Sequence, residues 1–278
     1  MKDDAEIESE LRDSPESAAA PTVATCQLAV ADLDVDANLA SVRERVRALP
    51  DATDVALFPE YALTGFVADD RIRGVALARD GPVLAGLRDL AATERCALAV
   101  GFVEDGGDAL YNAVAYLDPG GGDTVYRKRH LWDEERIVLE PGTERVTVET
   151  PVGTAGLLTC YDLNFVDESA ALARPDVEAL FVAGAWPAAH ADNWDLLVRA
   201  RALDGVRWAV AAGRTGRKSV AVSDGDPAEY AGRSQVVRPD GSVQAALDRG
   251  ERDLVTTLDP AVLAACRETI PVFEDGPD

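Results

Sequence analysis

Lysine is nearly missing from this chain of 278 residues: Lys2, Lys128 and Lys218 are the only three, and arginine carries the remaining fixed positive charge. Base is scarce altogether, with 27 Lys and Arg against 50 Asp and Glu and a formal net charge of -23. That balance argues against nucleic acid as a partner, because phosphate binding needs a basic face. An anionic membrane surface is excluded on the same ground. The four cysteines, Cys26, Cys96, Cys160 and Cys266, show no CxxC or metal-knuckle spacing. So few thiols in a chain this long make no disulfide scaffold. No apolar run approaches the length of a membrane span, and the N-terminal stretch has no apolar signal core. A soluble protein of a reducing cytoplasm is the expectation.

What is abundant is surface carboxylate and core-forming residues. Acid excess together with lysine depletion suggests adaptation to high salt, where ions screen the self-repulsion of an acidic protein. The apolar content of 47% is enough for a sizeable core. Residues 1–21 are acidic and rich in Ser, Ala and Pro, a composition expected to stay disordered. Residues 22–278 alternate strand and helix patterns with no linker between them, which predicts one domain with a mixed sheet or pair of sheets covered by helices.

Within that domain, Thr22 to Val30 reads as a strand, and Leu39, Val42, Val46 and Leu49 repeat at helical spacing. Val55 to Phe58 is a short strand ending at Pro59-Glu60. A helix is predicted from Pro82 to Glu94, and a strand from Ala97 to Val103. Ala113–Leu117 and Thr124–Tyr126 form a hairpin across a turn-rich joint. Further strands are predicted at 145–149, 155–160, 177–182, 208–212, 235–237, 243–246 and 253–258. The helix over 192–203 is expected to turn Leu196, Leu197, Ala200 and Leu203 inward, and Pro260 to Cys266 closes the chain as a last helix.

Three stretches carry chemistry. In Leu157-Leu158-Thr159-Cys160-Tyr161-Asp162 an apolar strand delivers a thiol to a sharp edge, the position of a rigidly aimed nucleophile; a buried structural cysteine is the plain alternative. Glu60 follows a buried strand and a proline, with Tyr61, Leu63 and Phe66 beside it. Desolvation there would raise its pKa and make it a general base near neutral pH. Lys128 follows a strand and precedes His130-Leu131-Trp132, where its charge could stabilise an oxyanion. Glu135 could hold that lysine or the substrate, with Asp133, Glu134 and Glu140 as rivals. A Cys–His pair is the other mechanism open to Cys160, with His130 as the nearer histidine and His190 further along.

Glu, Lys and Cys in this order, each ending a strand, resemble the nitrilase superfamily of carbon–nitrogen hydrolases. The resemblance runs from about Thr22 to Phe273. It rests on FPEYALTGF (58–66), YRKRHLW (126–132), EPG (140–142), LLTCYDLNF (157–165), WDLLVRARALD (194–204), AAGRTG (211–216) and GRSQVVRPDG (232–241). It implies a four-layer α-β-β-α sandwich of the α/β (α+β) class, usually a homodimer or larger homo-oligomer, needing no metal or cofactor. Carried over, Glu60 is the base, Lys128 the oxyanion cation, Cys160 the nucleophile and Glu135 a supporting glutamate, with the Tyr161 backbone N–H beside the lysine. Tyr61, Trp132 and Trp186 are candidates for the substrate pocket.

Departures from the family pattern are Asn164 for a usual arginine, Val166-Asp167 for Pro-Glu, Asp204-Gly205 for Glu-Asn, and Gly213 for an asparagine before Arg214. Tyr161-Asp162 after the nucleophile is similar to amidase and carbamoylase branches, where true nitrilases carry Trp-Glu. Trp186-Pro187 is similar to small-amide members, ω-amidases included. The expected reaction is hydrolysis of a small linear amide to a carboxylic acid and ammonia through a cysteine thioester. An N-carbamoyl amine as substrate, an acyltransferase and a non-catalytic metabolite-binding relative are the alternatives.

Overall fold

The computed structural model describes residues 20–218 and 229–274. The acidic tail, apart from Ala20 and Pro21, and the turn around Asp224 to Pro227 lie outside the described residues.

Two six-stranded sheets dominate. One contains β1 (Thr22–Gln27), β2 (Val55–Leu57), β3 (Ala97–Asp105), β4 (Leu110–Leu117) and β5 (Asp123–Arg127), with the late β12 (Arg252–Thr257) added beside β1. The other runs β6 (Thr147–Thr150), β7 (Gly153–Thr159), β8 (Ala179–Gly184), β9 (Trp208–Gly213), β10 (Gln235–Val237) and β11 (Val243–Ala246). Each sheet has a parallel trio at its centre, β1–β2–β3 and β7–β8–β9, with antiparallel strands outside. Helices α1 (Val35–Ala48) and α2 (Pro82–Glu94) lie on the first sheet. After the one-turn α3 (Glu135–Val138), α4 (Val166–Leu172) and α5 (Ala191–Leu203) lie on the second, and α6 (Pro260–Thr269) closes the described chain. This is the expected α-β-β-α sandwich.

The layering follows from the two-residue period of a strand. Ala24, Cys26 and Leu28 of the first strand segment pack with Leu39, Val42, Leu87 and Leu90 of the helices. Their neighbours Val23, Val55 and Leu57 point the other way, into a seam with Leu157, Phe181 and Val210 of the second sheet. Both faces of the parallel strands are therefore buried, which is why they read as nearly continuous apolar runs. α1 starts at an Asp34 cap whose carboxylate accepts from the Ala37 N–H, and α2 starts at Pro82, as its sequence predicts.

Helix α5 corrects one expectation. Its buried inward residues include Trp194, Val198, Arg201 and Ala202, with Leu197 half-buried against the same core as expected, whereas Leu196 is 64% exposed and Leu203 44%. The largest side chain decides the rotation. The Trp194 ring fills the space over Gly184, where a Cβ would stand 2.6 Å from it. Its indole N–H donates to the Arg233 carbonyl at 2.9 Å. Arg201 turns inward as well because the Leu163 carbonyl and Asp204 receive its guanidinium. Among the described residues no helix is long and apolar enough to cross a membrane.

Candidate active site

Three strand ends meet at one edge of the sandwich. Glu60 lies three residues beyond β2, Lys128 directly beyond β5, and Cys160 directly beyond β7, so the acid and the ammonium come from one sheet and the thiol from the other. All are buried. The Lys128 Nζ donates to Glu60 Oε1 at 2.8 Å and to both Glu135 oxygens at 2.9 Å. Of the four acids near Lys128 in sequence, Glu135 is the one that reaches it. Asp133, Glu134 and Glu140 are exposed, and Glu134 instead pairs with Lys218 at 3.7 Å.

Local backbone explains each position. The strand into Cys160 stops one residue earlier than expected, at Thr159, and Cys160 opens a 3-10 turn with φ +48°. A non-glycine residue in that left-handed region carries on the order of 1–2 kcal/mol of strain. The Asp162 carboxylate holds the turn: it accepts from the Thr159 N–H at 3.0 Å, the Tyr126 hydroxyl at 2.6 Å and the His130 N–H at 3.0 Å. One side chain thus ties the Cys160 turn to the lysine segment. The Glu140-Pro141-Gly142 turn sets the lysine's register. Gly142 N–H donates to the Lys128 carbonyl at 2.8 Å, and a Cβ on Gly142 would lie 2.2 Å from the Arg127 carbonyl oxygen.

Glu60 is seated by Gly101 of β3. A Cβ at Gly101 would stand 2.4 Å from the Pro59 carbonyl oxygen and 2.8 Å from Glu60 Cα. The obstructing atoms are backbone, so Gly101→Ala must displace the acid. Activity is expected to fall about ten- to a hundredfold, the cost of a misplacement near 1 Å, with a stability loss of about 1–3 kcal/mol from overpacking. Steady-state kinetics beside a melting curve checks this; unchanged kinetics would remove the steric argument.

Two contributors were not foreseen from the sequence. Asn112 of β4 donates to Glu60 Oε1 (2.7 Å), the Tyr61 hydroxyl (2.8 Å) and Glu135 Oε1 (2.9 Å). Its one sequence signal is a polar side chain inside LYNAVAYL, an otherwise apolar strand. The Ala185 N–H donates to Glu60 Oε2 at 2.8 Å and also reaches the Cys160 sulfur. Backbone groups leave no side-chain signature to read.

Burial shapes the electrostatics. It pushes Glu60 above the ordinary carboxylate range, Lys128 pulling it back and the Glu135 charge pushing it further up. Burial alone would lower Lys128, but the Glu135 and Glu60 charges prevail and hold it well above a free lysine. The Cys160 thiol is driven well up by burial and by Glu60, against the pull of Lys128. The thiol is therefore protonated at neutral pH, and a base beside it has a proton to remove.

Cys160 opens onto a cavity of about 200 Å³ whose aromatic walls are Trp132, Tyr161 and Trp186. Tyr61 does not line it. Its hydroxyl is turned inward, donating to Glu135 and accepting from Asn112. This corrects its assignment to the pocket: a phenol on an apolar ring can bury fully where a carboxylate accepts its proton. His130 is occupied elsewhere, with Nδ1 3.0 Å from Asp162 and its ring stacked on Phe165 at 3.6 Å. His190 lies on the cavity wall. Cys26, Cys96 and Cys266 are buried. Among the described residues no group of His, Cys, Asp and Glu is arranged to hold a metal ion. The departure at Gly213 has a local reason, since a Cβ there would overlap the Gly232 carbonyl oxygen at 1.9 Å.

Residues 22–268 match the family model described as carbon–nitrogen hydrolase. An (R)-stereoselective amidase from Pseudomonas sp. is 31% identical over 249 residues, covering 90% of this chain and 89% of that protein. The omega-amidase YafV of Escherichia coli (strain K12) is 31% identical over 251 residues, covering 88% of this chain and 92% of its own. The crystal structure of XC1258 from Xanthomonas campestris, a CN-hydrolase superfamily protein with an arsenic adduct in the active site, superimposes with a TM-score of 0.85. It is 26% identical and covers 93% of this chain and 98% of that one. The chain belongs to the carbon–nitrogen hydrolase family, within the nitrilase superfamily. It is an enzyme of the amidase type.

Proposed function

We propose that the enzyme hydrolyses a small linear amide to its carboxylic acid and ammonia through a thioester on Cys160. The observation that carries this is a thiol open to one small cavity and backed by a buried carboxylate and ammonium that act on it, with relatives that are named as amidases.

Glu60 is the general base, and Oε2 is its working oxygen. Oε1 already accepts from Lys128 and Asn112, whereas Oε2 accepts from Ala185 N–H alone among the described residues, which leaves it a lone pair for the thiol proton. As Sγ bonds to the carbonyl carbon, that proton passes to Glu60 and the carbonyl oxygen takes up the charge. The Lys128 ammonium and the Tyr161 backbone N–H stabilise that oxygen. Collapse breaks the C–N bond, and Glu60 returns the proton to the departing ammonia. Water then gives a proton to Glu60 as its oxygen attacks the thioester; the C–S bond breaks and the proton returns to sulfur. Glu135 holds Lys128 in place and balances its charge. Trp132 and Trp186 flank the substrate.

Incubation with an amide and hydroxylamine tests the acyl-enzyme. A mass adduct on Cys160 and hydroxamate release are expected; hydrolysis with neither would overturn the thioester. The base must be ionised to act, so kcat/KM is lost as pH falls through the Glu60 pKa. Because burial raises that pKa, the acid limb is expected above 4.5, the ordinary glutamate value. A midpoint at or below it in a pH–rate profile contradicts the role. We read the net charge of -23 as an adaptation to salt. The melting temperature is expected to climb between about 0.1 and 2 M KCl as self-repulsion is screened, and a flat or falling trend ends that reading.

A further inference from the structure

We propose that the cavity selects amides whose acyl group is uncharged and carries an aromatic or alkyl body, and that it rejects acyl groups bearing a carboxylate. The inference rests on the amide-hydrolase reading and names the substrate class for that same site.

Among the described residues, the cavity wall contains no arginine, lysine, aspartate or glutamate. Besides the Cys160 thiol and the Tyr161 phenol, its polar members include Asn164, Asn193 and His190. Three nearby cations are paired with carboxylates: Lys128 with Glu60 and Glu135, Arg129 with Glu168, and Lys218 with Glu134. A carboxylate entering this space would lose its hydration and, among the described residues, find no arginine or lysine on the wall to replace it, a cost that a neutral acyl group escapes. The net charge of -23 adds a repulsive field at long range.

The apolar walls are preformed. Trp186 packs against Trp194 with ring centroids 5.7 Å apart, and its indole N–H is fixed on the His190 carbonyl at 2.9 Å. Tyr161 stands edge-on to Phe165 at 5.2 Å. Rings held in this way offer apolar walls with little ordering left to do when a ligand enters. The two asparagines can donate to and accept from a neutral polar substituent, but neither supplies charge.

Three amides with the same reacting group separate these effects: butanamide, succinamate, in which a carboxylate replaces the terminal methyl, and 3-phenylpropanamide, in which a phenyl ring replaces it. They are compared at about 0.1 M and about 1 M KCl, where the screening length falls from about 10 Å to about 3 Å. Long-range repulsion is largely removed at the higher salt, so the discrimination that remains belongs to the cavity. There, kcat/KM for butanamide is expected to exceed that for succinamate at least about tenfold, and 3-phenylpropanamide to exceed butanamide about fivefold or more. Asn164→Arg, which brings a cation to the wall, should narrow the butanamide-to-succinamate ratio at least about fivefold. Asn193→Arg is the second variant should the first fail to fold.

Succinamate turned over as well as butanamide at high salt would overturn the selectivity while leaving the hydrolase intact. A folded arginine variant with an unmoved ratio would overturn it too. Loss of all amide turnover in the wild type would instead sink the reaction assigned above.

Discussion

Cys160→Ala is expected to lower kcat by about 10⁴-fold or more, the scale seen when a covalent nucleophile is removed. The remaining oxyanion donors and binding contacts can support only the small residual rate that outlasts a lost nucleophile. The substitution should be mild for the fold. Alanine keeps the same backbone class at φ +48°, and the Asp162 contacts that hold the turn do not involve the sulfur. The melting temperature should therefore stay within a few degrees of wild type while hydroxamate formation disappears. Cys160→Ser should remain far below wild type, because a hydroxyl resists ionisation more than a thiol beside the same base. An alanine variant retaining a tenth of wild-type activity would remove Cys160 from the mechanism.

Lys128→Met is expected to damage stability and activity together. Two buried carboxylates, Glu60 and Glu135, share this single ammonium at 2.8 and 2.9 Å. Breaking a buried pair by deleting one partner costs about 3–5 kcal/mol, because the opposite charge is left uncompensated. Loss of oxyanion stabilisation removes a further factor of about 10²–10³ from kcat. Combining Lys128→Met with Glu135→Gln separates the two effects. Removing one of the stranded charges should restore much of the stability, read from urea unfolding, and none of the rate. Lys128→Arg should rescue poorly, since a planar fork does not fit a site built around a point charge. Recovery of activity along with stability in the double variant would show that the lysine is only structural.

The parallel strands were legible because burial on both faces leaves unbroken apolar runs, and α2 because Pro82 and the spacing of Leu84, Leu87 and Leu90 agree. The acid, the lysine and the thiol were legible as strand-end residues within family-like segments, and the structure gathers them at one edge. Spacing alone misplaces Leu196 and Leu203 of α5, because its leucines outnumber the single inward tryptophan and do not tell which stripe has a glycine opposite to receive it. Asn112 is silent in the sequence because one amide in a strand names no partner until neighbouring strands are in register. The Ala185 N–H has no side chain to announce it. Tyr61 looked like a pocket residue from its position beside Glu60, and only the direction of its ring, settled by Glu135 and Asn112, says otherwise.

The acid and the sulfur ride on separate sheets, as if on the two jaws of a calliper whose gap is set by the Leu57, Phe181 and Val210 seam. Alignment at the tips is then inherited from hydrocarbon packing well away from them. Drift of residues in the outer helical layers can be absorbed locally, whereas a methylene gained or lost in the seam shifts one jaw against the other. The alignment of acid and sulfur in this protein is thereby stored where no polar atom takes part.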